Sequence, residues 1–294
     1  MSSGAVSVQA GAGDDLTRVV TCDLVFDVIE SAEIAVQLVA ATSAARVLTE
    51  RFDVTSDGAP PASLEEIHDP QGGRIHVILA DPGRLAIAYR AELVAPPPPS
   101  TWAEGSASSA FASSGYERQL YLRPSRYCPS DHLIGFAMSE FATAADSASR
   151  VALITEWIRD RIRYVPGASD VHDSAEHTLL TGMGTCRDFA HLGIALSRAT
   201  GIPARFAAVY APGLTPMDFH AVFETLEDGR WYVHDATGLA PRPSLVRIAT
   251  GRDAADAAFS AVTTGVADLE SLEVSATVGS VLPHDDPSEV VELA

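Results

Sequence analysis

Basic residues are scarce in this sequence. It carries 20 Lys and Arg against 39 Asp and Glu, a formal net charge of −19. Nucleic acids and anionic membrane surfaces bind proteins through a basic face, so this balance argues against either as a partner. Apolar runs of about 18 residues are also missing, so no membrane-spanning helix is expected. Residues 1–5 lack the basic region and apolar core of a signal peptide, which predicts a cytoplasmic protein.

Cysteine occurs only three times, at Cys22, Cys128 and Cys186. No Cys-x-x-Cys pair suggests zinc, and an odd count in a chain expected to stay inside the cell predicts free thiols. An Asp-x-Asp-x-Asp-Gly loop for calcium is absent as well. The sequence therefore predicts no metal and no cofactor. Hydrophobic residues make up 47% of the chain, so a core can form without such supports.

The first third of the chain has the pattern of short antiparallel strands. After residues 1–15, which we expect to be disordered, apolar and polar residues alternate and tight turns such as Asp57-Gly58 separate the runs. This pattern predicts an N-terminal antiparallel β-sandwich over 16–98, with Cys22 as a small buried hydrophobe. The alternating stretches are 20–28, 34–38, 48–54, 75–79 and 85–93.

A Ser/Ala/Gly-rich linker over 99–118 then leads to a core over 119–266 that mixes helices and strands. Helical periodicity covers about 131–142, 147–163, 174–180 and 187–200, and strands follow at 204–210, 219–226 and 230–237. Helices followed by strands predict an α+β fold. The last residues, 267–294, are acidic. They contain one predicted strand, 272–278, and an end expected to be disordered.

Cys186 stands where the last of these helices begins. Unpaired N–H groups and the helix dipole favour a thiolate at that position. Two glycines precede it, and Gly184 leaves room for a group to approach the sulfur. A cysteine alone would more often be a buried core residue, so its interpretation depends on the residues downstream of it.

His220 opens one strand of a predicted hairpin, and Asp235 closes the next. With a turn near Asp228, the register brings Asp235 beside His220, where a carboxylate can orient an imidazole. A metal site built from His220, His234 and Asp235 is the competing hypothesis. It is disfavoured because His234 and Asp235 are strand neighbours that point to opposite faces. The histidines in or near the Cys186 stretch, His172, His177 and His191, are interpreted as structural or surface residues.

These motifs in this order resemble the transglutaminase-like superfamily. The resemblance lies in Gly-x-Cys-x-Asp-Phe-Ala, Gly-Ile-Pro-Ala-Arg, His-Ala and Trp-Tyr-x-x-Asp-Ala-Thr, and it covers roughly residues 120–265. The sequence departs from the family at Val222, where an aromatic is frequent, and at Ala236, where many members have proline. The resemblance implies a papain-like, transglutaminase-like core of helices on an antiparallel sheet.

The resemblance also implies a catalytic triad of Cys186, His220 and Asp235. It implies acyl transfer through a thioester, with a peptide or protein as substrate and hydrolysis favoured. Transfer to an amine, as in a transglutaminase, and a non-catalytic peptide-binding module are the alternatives. The Cys186 backbone N–H is the expected oxyanion donor, and a Tyr or Gln before Cys128, such as Gln119, is a candidate for a second. No oligomeric state is predicted.

Overall fold

The computed structural model describes residues 16–42, 45–94, 111–279 and 281–293. The disorder predicted for 1–15 lies outside these ranges, as does most of the predicted linker. The helices are α1 (Phe111–Leu120), α2 (Ile134–Phe141), α3 (Ser147–Arg161), α4 (Ala175–Thr181) and α5 (Cys186–Ala199). The first strands are β1 (Thr17–Val36), β2 (Arg46–Ser56), β3 (Ser63–His68), β4 (Arg74–Ala80), β5 (Gly83–Val94), β6 (Arg163–Tyr164) and β7 (Met183–Gly184). The later strands are β8 (Ala204–Tyr210), β9 (Phe219–Glu227), β10 (Arg230–His234), β11 (Val246–Gly251) and β12 (Ser260–Val278).

The N-terminal strands are antiparallel, as predicted, and are organised by β1. Along one side, β1 pairs with β12 over almost its whole length. Along the other, its first part pairs with β5 and its last part with β4, to which β2 and β3 are added. The stretch 20–28 and residues 34–36 therefore belong together in one strand. The pairing with β12 is irregular between Val28 and Ile34, yet the same face of β1 stays buried on both sides of that irregularity.

The face that β4 buries differs from the predicted one. The alternation predicts an inward face made of Ile75, Val77 and Leu79. The structure instead buries Arg74 and His76 on the opposite face. Arg74 forms an ion pair with Glu50 of β2, with Nη1 to Oε2 at 2.9 Å, and the His76 ring lies 4.1 Å from the Phe52 ring. Polar residues face inward here because a partner on the packed strand satisfies them.

The second half of the molecule confirms the predicted α+β core. Its sheet has the antiparallel order β10-β9-β8-β11, of which β11 was not predicted. Helix α5 packs on β9 and β8 and is enclosed by α2, α3 and α4. All residues of α5 from Asp188 to Arg198 are buried, which agrees with its all-round apolar pattern.

After β11 the chain contributes first a strand to the N-terminal sheet and then a segment that packs on the second half of the molecule. The predicted strand 272–278 is the last part of β12, which begins at Ser260 and belongs to the N-terminal sheet, so the predicted boundary at 266 falls inside one strand. Residues 281–293, expected to be disordered, lie against β10, where the Val233 N–H donates to Val291 O at 2.8 Å. Burial of Val291 and Leu293 accounts for this order. The domain boundaries themselves stay predictions.

Direct bonds also join the two halves. The Tyr210 hydroxyl donates to Leu38 O at 2.6 Å, and Arg18 Nε donates to Ser244 O at 2.8 Å. Within the described ranges, no helix has both the length and the apolarity to cross a bilayer.

One close contact sets the distance between α5 and β9. Gly193 faces the Phe223 ring so closely that a Cβ at Gly193 would lie 2.5–2.8 Å from three ring carbons. Glycine is therefore required for the helix to lie this near the sheet, and that approach brings the start of α5 toward the start of β9.

We expect Gly193→Ala to lower the free energy of unfolding by about 1–3 kcal/mol, because the ring has to move out of a packed core. Urea denaturation measures the change. Gly135→Ala in α2 is the matched control, since a Cβ there meets nothing within 4 Å. The control should be neutral or gain up to about 1 kcal/mol from helix propensity. Equal stability of the two variants would show that Phe223 moves freely.

Candidate active site

The sequence around Cys186 fixes where α5 begins. Asp188 Oδ2 accepts hydrogen bonds from the Thr185 N–H at 2.7 Å and from the Thr185 hydroxyl at 2.9 Å, which caps the helix. Gly184 must lack a Cβ, since one would lie 2.6 Å from the Asp188 Cβ. Ser169 donates to the other oxygen of Asp188 at 2.9 Å. The Gly-x-Cys-x-Asp spacing thus places Cys186 in the first turn, as predicted.

Cys186 also differs from the other two cysteines in its access to solvent. It is partly exposed, whereas Cys22 and Cys128 are fully buried. Burial raises the pKa of both Cys22 and Cys128 to about 12. Neither buried thiol is suited to act as a nucleophile near neutral pH.

His220 and Asp235 meet at the end of the β9–β10 hairpin. His220 belongs to β9, and Asp235 directly follows His234, the last residue of β10. His220 Nε2 and Asp235 Oδ2 are 2.9 Å apart, and the two side chains are 0% and 2% exposed. The structure therefore brings together the pair that the predicted register places side by side.

Thr237 completes this pair and was not assigned a role from the sequence. Its N–H and its hydroxyl both donate to Asp235 Oδ1, at 2.8 and 2.7 Å. On the other side, Arg159 of α3 donates to the Asp235 carbonyl at 3.0 Å. Both carboxylate oxygens therefore have partners, and the oxygen facing His220 is fixed in direction. The Asp-x-Thr sequence was the available signal, since Asp is suited to turns in which it bonds two residues ahead.

The buried pair is ionised. Burial lowers the pKa of His220, but the Asp235 carboxylate and then the Cys186 thiol act in the opposite direction and raise it to about 10. Burial likewise raises the pKa of Asp235, and His220 and Thr237 outweigh it, so that the net shift is downward. At neutral pH the ring is an imidazolium beside a carboxylate.

The second ring nitrogen of His220 is available for chemistry. Nδ1 is buried and has no hydrogen-bond partner of standard geometry among the described residues. The Cys186 side chain nevertheless belongs to the groups that stabilise the charged ring. The ring thus has Asp235 on Nε2 and the Cys186 side chain among its other neighbours. This is the order in which an acid–base imidazole connects a carboxylate to a nucleophile.

The competing metal hypothesis finds no support in the described residues, which contain no group of three potential ligands. His234 pairs with Thr225 instead, at 2.8 Å, and burial lowers its pKa to about 3. His191 is a core residue of α5 that accepts from the Ala254 N–H at 3.1 Å. His172 and His177 are exposed.

Tyr164 is a site residue that the sequence did not single out as functional. It ends β6, which pairs in parallel with β7 immediately before Cys186. Burial raises the pKa of Tyr164 to about 12, together with the nearby Cys186 and Asp218. The Cys186 backbone lies close to this hydroxyl. Gln119, by contrast, is an exposed residue of α1, and no described contact connects it with Cys186.

Comparison with known proteins agrees with this geometry. Residues 137–236 match the family model of the Transglutaminase-like superfamily, and this range includes Cys186, His220 and Asp235. A crystal structure of a protein from Cytophaga hutchinsonii, described as a "Putative Cysteine Protease", is similar over 96% of this chain and 99% of that chain. Its sequence identity is 31% and its TM-score is 0.81.

A curated relative is the uncharacterized protein ML0607 of Mycobacterium leprae (strain TN). It is 28% identical over 148 residues, which make up 47% of this chain and 52% of that protein. The chain thus spans about half the length of this relative.

The ionisation of His220 is directly measurable by NMR titration of histidine ring signals. We expect a midpoint near pH 10, against an ordinary value of 6.5. In Asp235→Asn the midpoint should fall well below 10, because the carboxylate that chiefly opposes burial is then absent. His191 and His234 serve as internal controls that stay neutral down to about pH 3. A wild-type midpoint near 6.5 would contradict the ion pair.

Proposed function

Because the chain belongs to the transglutaminase-like superfamily, we propose that it is a cysteine-dependent acyl-transfer enzyme that hydrolyses amide bonds in a peptide or protein. The observation that carries the proposal is the buried His220–Asp235 pair, which has the Cys186 side chain as a further neighbour of the ring. Cys186 is the nucleophile, His220 the acid and base, and Asp235 the group that orients and charges the ring.

Because His220 is an imidazolium at neutral pH, it acts first as the acid, and the proposed resting nucleophile is the Cys186 thiolate. The thiolate attacks the carbonyl carbon of the amide and forms a C–S bond, while the carbonyl oxygen becomes an oxyanion. When the C–N bond breaks, His220 gives a proton to the leaving amine and becomes neutral, and a thioester remains on Cys186. A water molecule then gives its proton to His220 and attacks the thioester, which releases the carboxylic acid and restores the thiolate and the imidazolium.

Two donors are proposed for the oxyanion. The Cys186 backbone N–H lies in the first turn of α5, where no helical carbonyl accepts it. The Tyr164 hydroxyl is beside that backbone group and is the proposed second donor, in place of Gln119. Its high pKa keeps the hydroxyl protonated, so it is able to donate throughout the neutral range.

The acceptor decides between hydrolysis and amine transfer. Water as acceptor gives a peptidase or amidase, and a lysine or other amine gives a transglutaminase. Hydrolysis is favoured because the similar Cytophaga hutchinsonii protein carries the description "Putative Cysteine Protease". A non-catalytic peptide-binding module is the alternative from another class. The presence of Cys, His and Asp together argues against it, since a binding module has no need of them.

Thiol labelling tests the nucleophile without a known substrate. We expect iodoacetamide at about pH 6 to modify Cys186 first, because an imidazolium neighbour favours its thiolate. Cys22 and Cys128 should react only after unfolding, as they are buried thiols with a pKa of about 12. Peptide mass spectrometry gives the order of modification. Equal labelling of all three cysteines in the folded protein would indicate that Cys186 is an ordinary core residue and not a nucleophile.

Once peptide and glutamine-amide libraries give a substrate, substitutions of the three triad residues should lower turnover to different degrees. Cys186→Ala and His220→Ala should abolish measurable turnover. Asp235→Asn should lower kcat by about three to four orders of magnitude and leave residual activity. Adding Asp235→Asn to His220→Ala should change little further, because the two act as one unit.

Near-normal activity of Asp235→Asn beside an inactive His220→Ala would reduce the triad to a Cys–His pair. If no substrate is turned over while peptides still bind, the binding-module alternative is correct. Turnover that requires an added amine would identify a transglutaminase.

A further inference from the structure

Residues 281–293, which we name the acidic segment, lie along β10 close to Asp235. The Val233 N–H, on the edge of β10, donates to Val291 O at 2.8 Å. Val291 and Leu293 are buried in an apolar cluster that includes Val222 and Val233 of the sheet. The acidic segment is therefore packed on the strand that leads into Asp235.

A buried charge clamp holds the same segment to the chain that leaves Asp235. Asp285 accepts from the Arg242 backbone N–H at 2.8 Å, and its two oxygens accept from Arg242 Nε and Nη2 at 2.8–3.2 Å. Arg242 Nη2 also donates to Asp286 O at 2.6 Å. The Arg242 and Asp285 side chains are 9% and 24% exposed. Multidentate contacts of this kind, shielded from water, fix geometry as well as contributing energy.

The two residues to which the acidic segment is attached lie on either side of Asp235 in the sequence. Val233 lies two residues before it and Arg242 seven residues after it. Between α3, β10 and the acidic segment there is an open cavity of about 610 Å³, and Asp235 is among its lining residues. Asp235 is itself buried, and on this side its carbonyl accepts from Arg159. The acidic segment forms one wall of the cavity.

We propose that the Arg242–Asp285 clamp is a positioning device that holds the Asp235 turn against His220, so that the acidic segment is a working part of the active site. The inference rests on the proposed function, since it concerns how the Cys186 thiol is activated. Arg242 and Asp285 are positioning residues that act through Asp235. Breaking the clamp lets the turn move away from the imidazole, and a displacement of about 1 Å is enough to impair a reacting group by up to about a hundredfold.

Asp285→Asn is the test variant, and Glu292→Gln is its matched control. Glu292 belongs to the same segment and binds Arg230 of β10 at 2.8 Å, but that ion pair is largely exposed. We expect Asp285→Asn to slow alkylation of Cys186 at about pH 6 by about tenfold to a hundredfold. The NMR midpoint of His220 should also fall by at least about one pH unit, because a looser Asp235 no longer offsets burial. Glu292→Gln should leave both unchanged, and Asp285→Glu, which keeps the charge, should recover most of the loss.

A purely structural clamp would behave differently. Asp285→Asn would then lower the melting temperature while the alkylation rate stays within twofold of wild type and the His220 midpoint does not move, and that result would overturn the proposal. Should Asp285→Asn fail to fold, Arg242→Lys takes its place. This variant keeps the positive charge and the backbone N–H that donates to Asp285. We expect an intermediate change in both the alkylation rate and the His220 midpoint. An absence of change in both would count against the clamp.

The two readouts also separate this inference from the proposed function. If wild-type Cys186 is not labelled in preference to the other cysteines, the proposed function fails, and the His220 midpoint still tests the clamp. If wild type labels as expected and Asp285→Asn changes neither readout, the clamp fails and the proposed function stands.

Discussion

The buried ion pair between His220 and Asp235 is the interaction on which this site depends. Burial opposes the charged form of both groups, so each is ionised chiefly because the other is 2.9 Å away. Removing one member of such a pair leaves an uncompensated buried charge, which costs about 3–5 kcal/mol. The surrounding contacts are consistent with this requirement. Thr237 binds the second oxygen of Asp235, Arg159 binds its carbonyl, and the clamp of the acidic segment holds the following turn.

A second constraint keeps the nucleophile in reach of that pair. Two glycines in and before α5 permit approaches that a Cβ would block, Gly184 toward Asp188 and Gly193 toward Phe223. The first fixes the turn at which the helix begins, and the second fixes how near the helix lies to β9. Together they place a partly exposed thiol at a helix N-terminus next to a charged imidazole, a setting that stabilises a thiolate from two directions.

Local patterns in the sequence predicted the core of the site and most of the fold. Periodicity and turn residues located α3, α5 and the β9–β10 hairpin, because each reflects short-range geometry. Long-range pairing was not accessible in this way. The inward face of β4 was predicted wrongly because Arg74 is neutralised by Glu50, a residue 24 positions away. The extent of β12 and the order of residues 281–293 depend on partners in β1 and β10, which no local pattern reveals. Tyr164 was missed as a functional residue for the same reason, whereas Thr237 was missed although the local Asp-x-Thr sequence signals its bond to Asp235.

The central claim is that the Asp235 carboxylate keeps the buried His220 ring charged beside Cys186. Nitrogen-15 NMR of the His220 ring at a single pH of about 8.5 measures that charge directly, because an imidazolium carries a proton on both ring nitrogens and a neutral ring carries a proton on only one. The account predicts two protonated ring nitrogens in the wild-type protein at this pH and one in Asp235→Asn. A neutral ring in the wild-type protein, or a charged ring in Asp235→Asn, would contradict it.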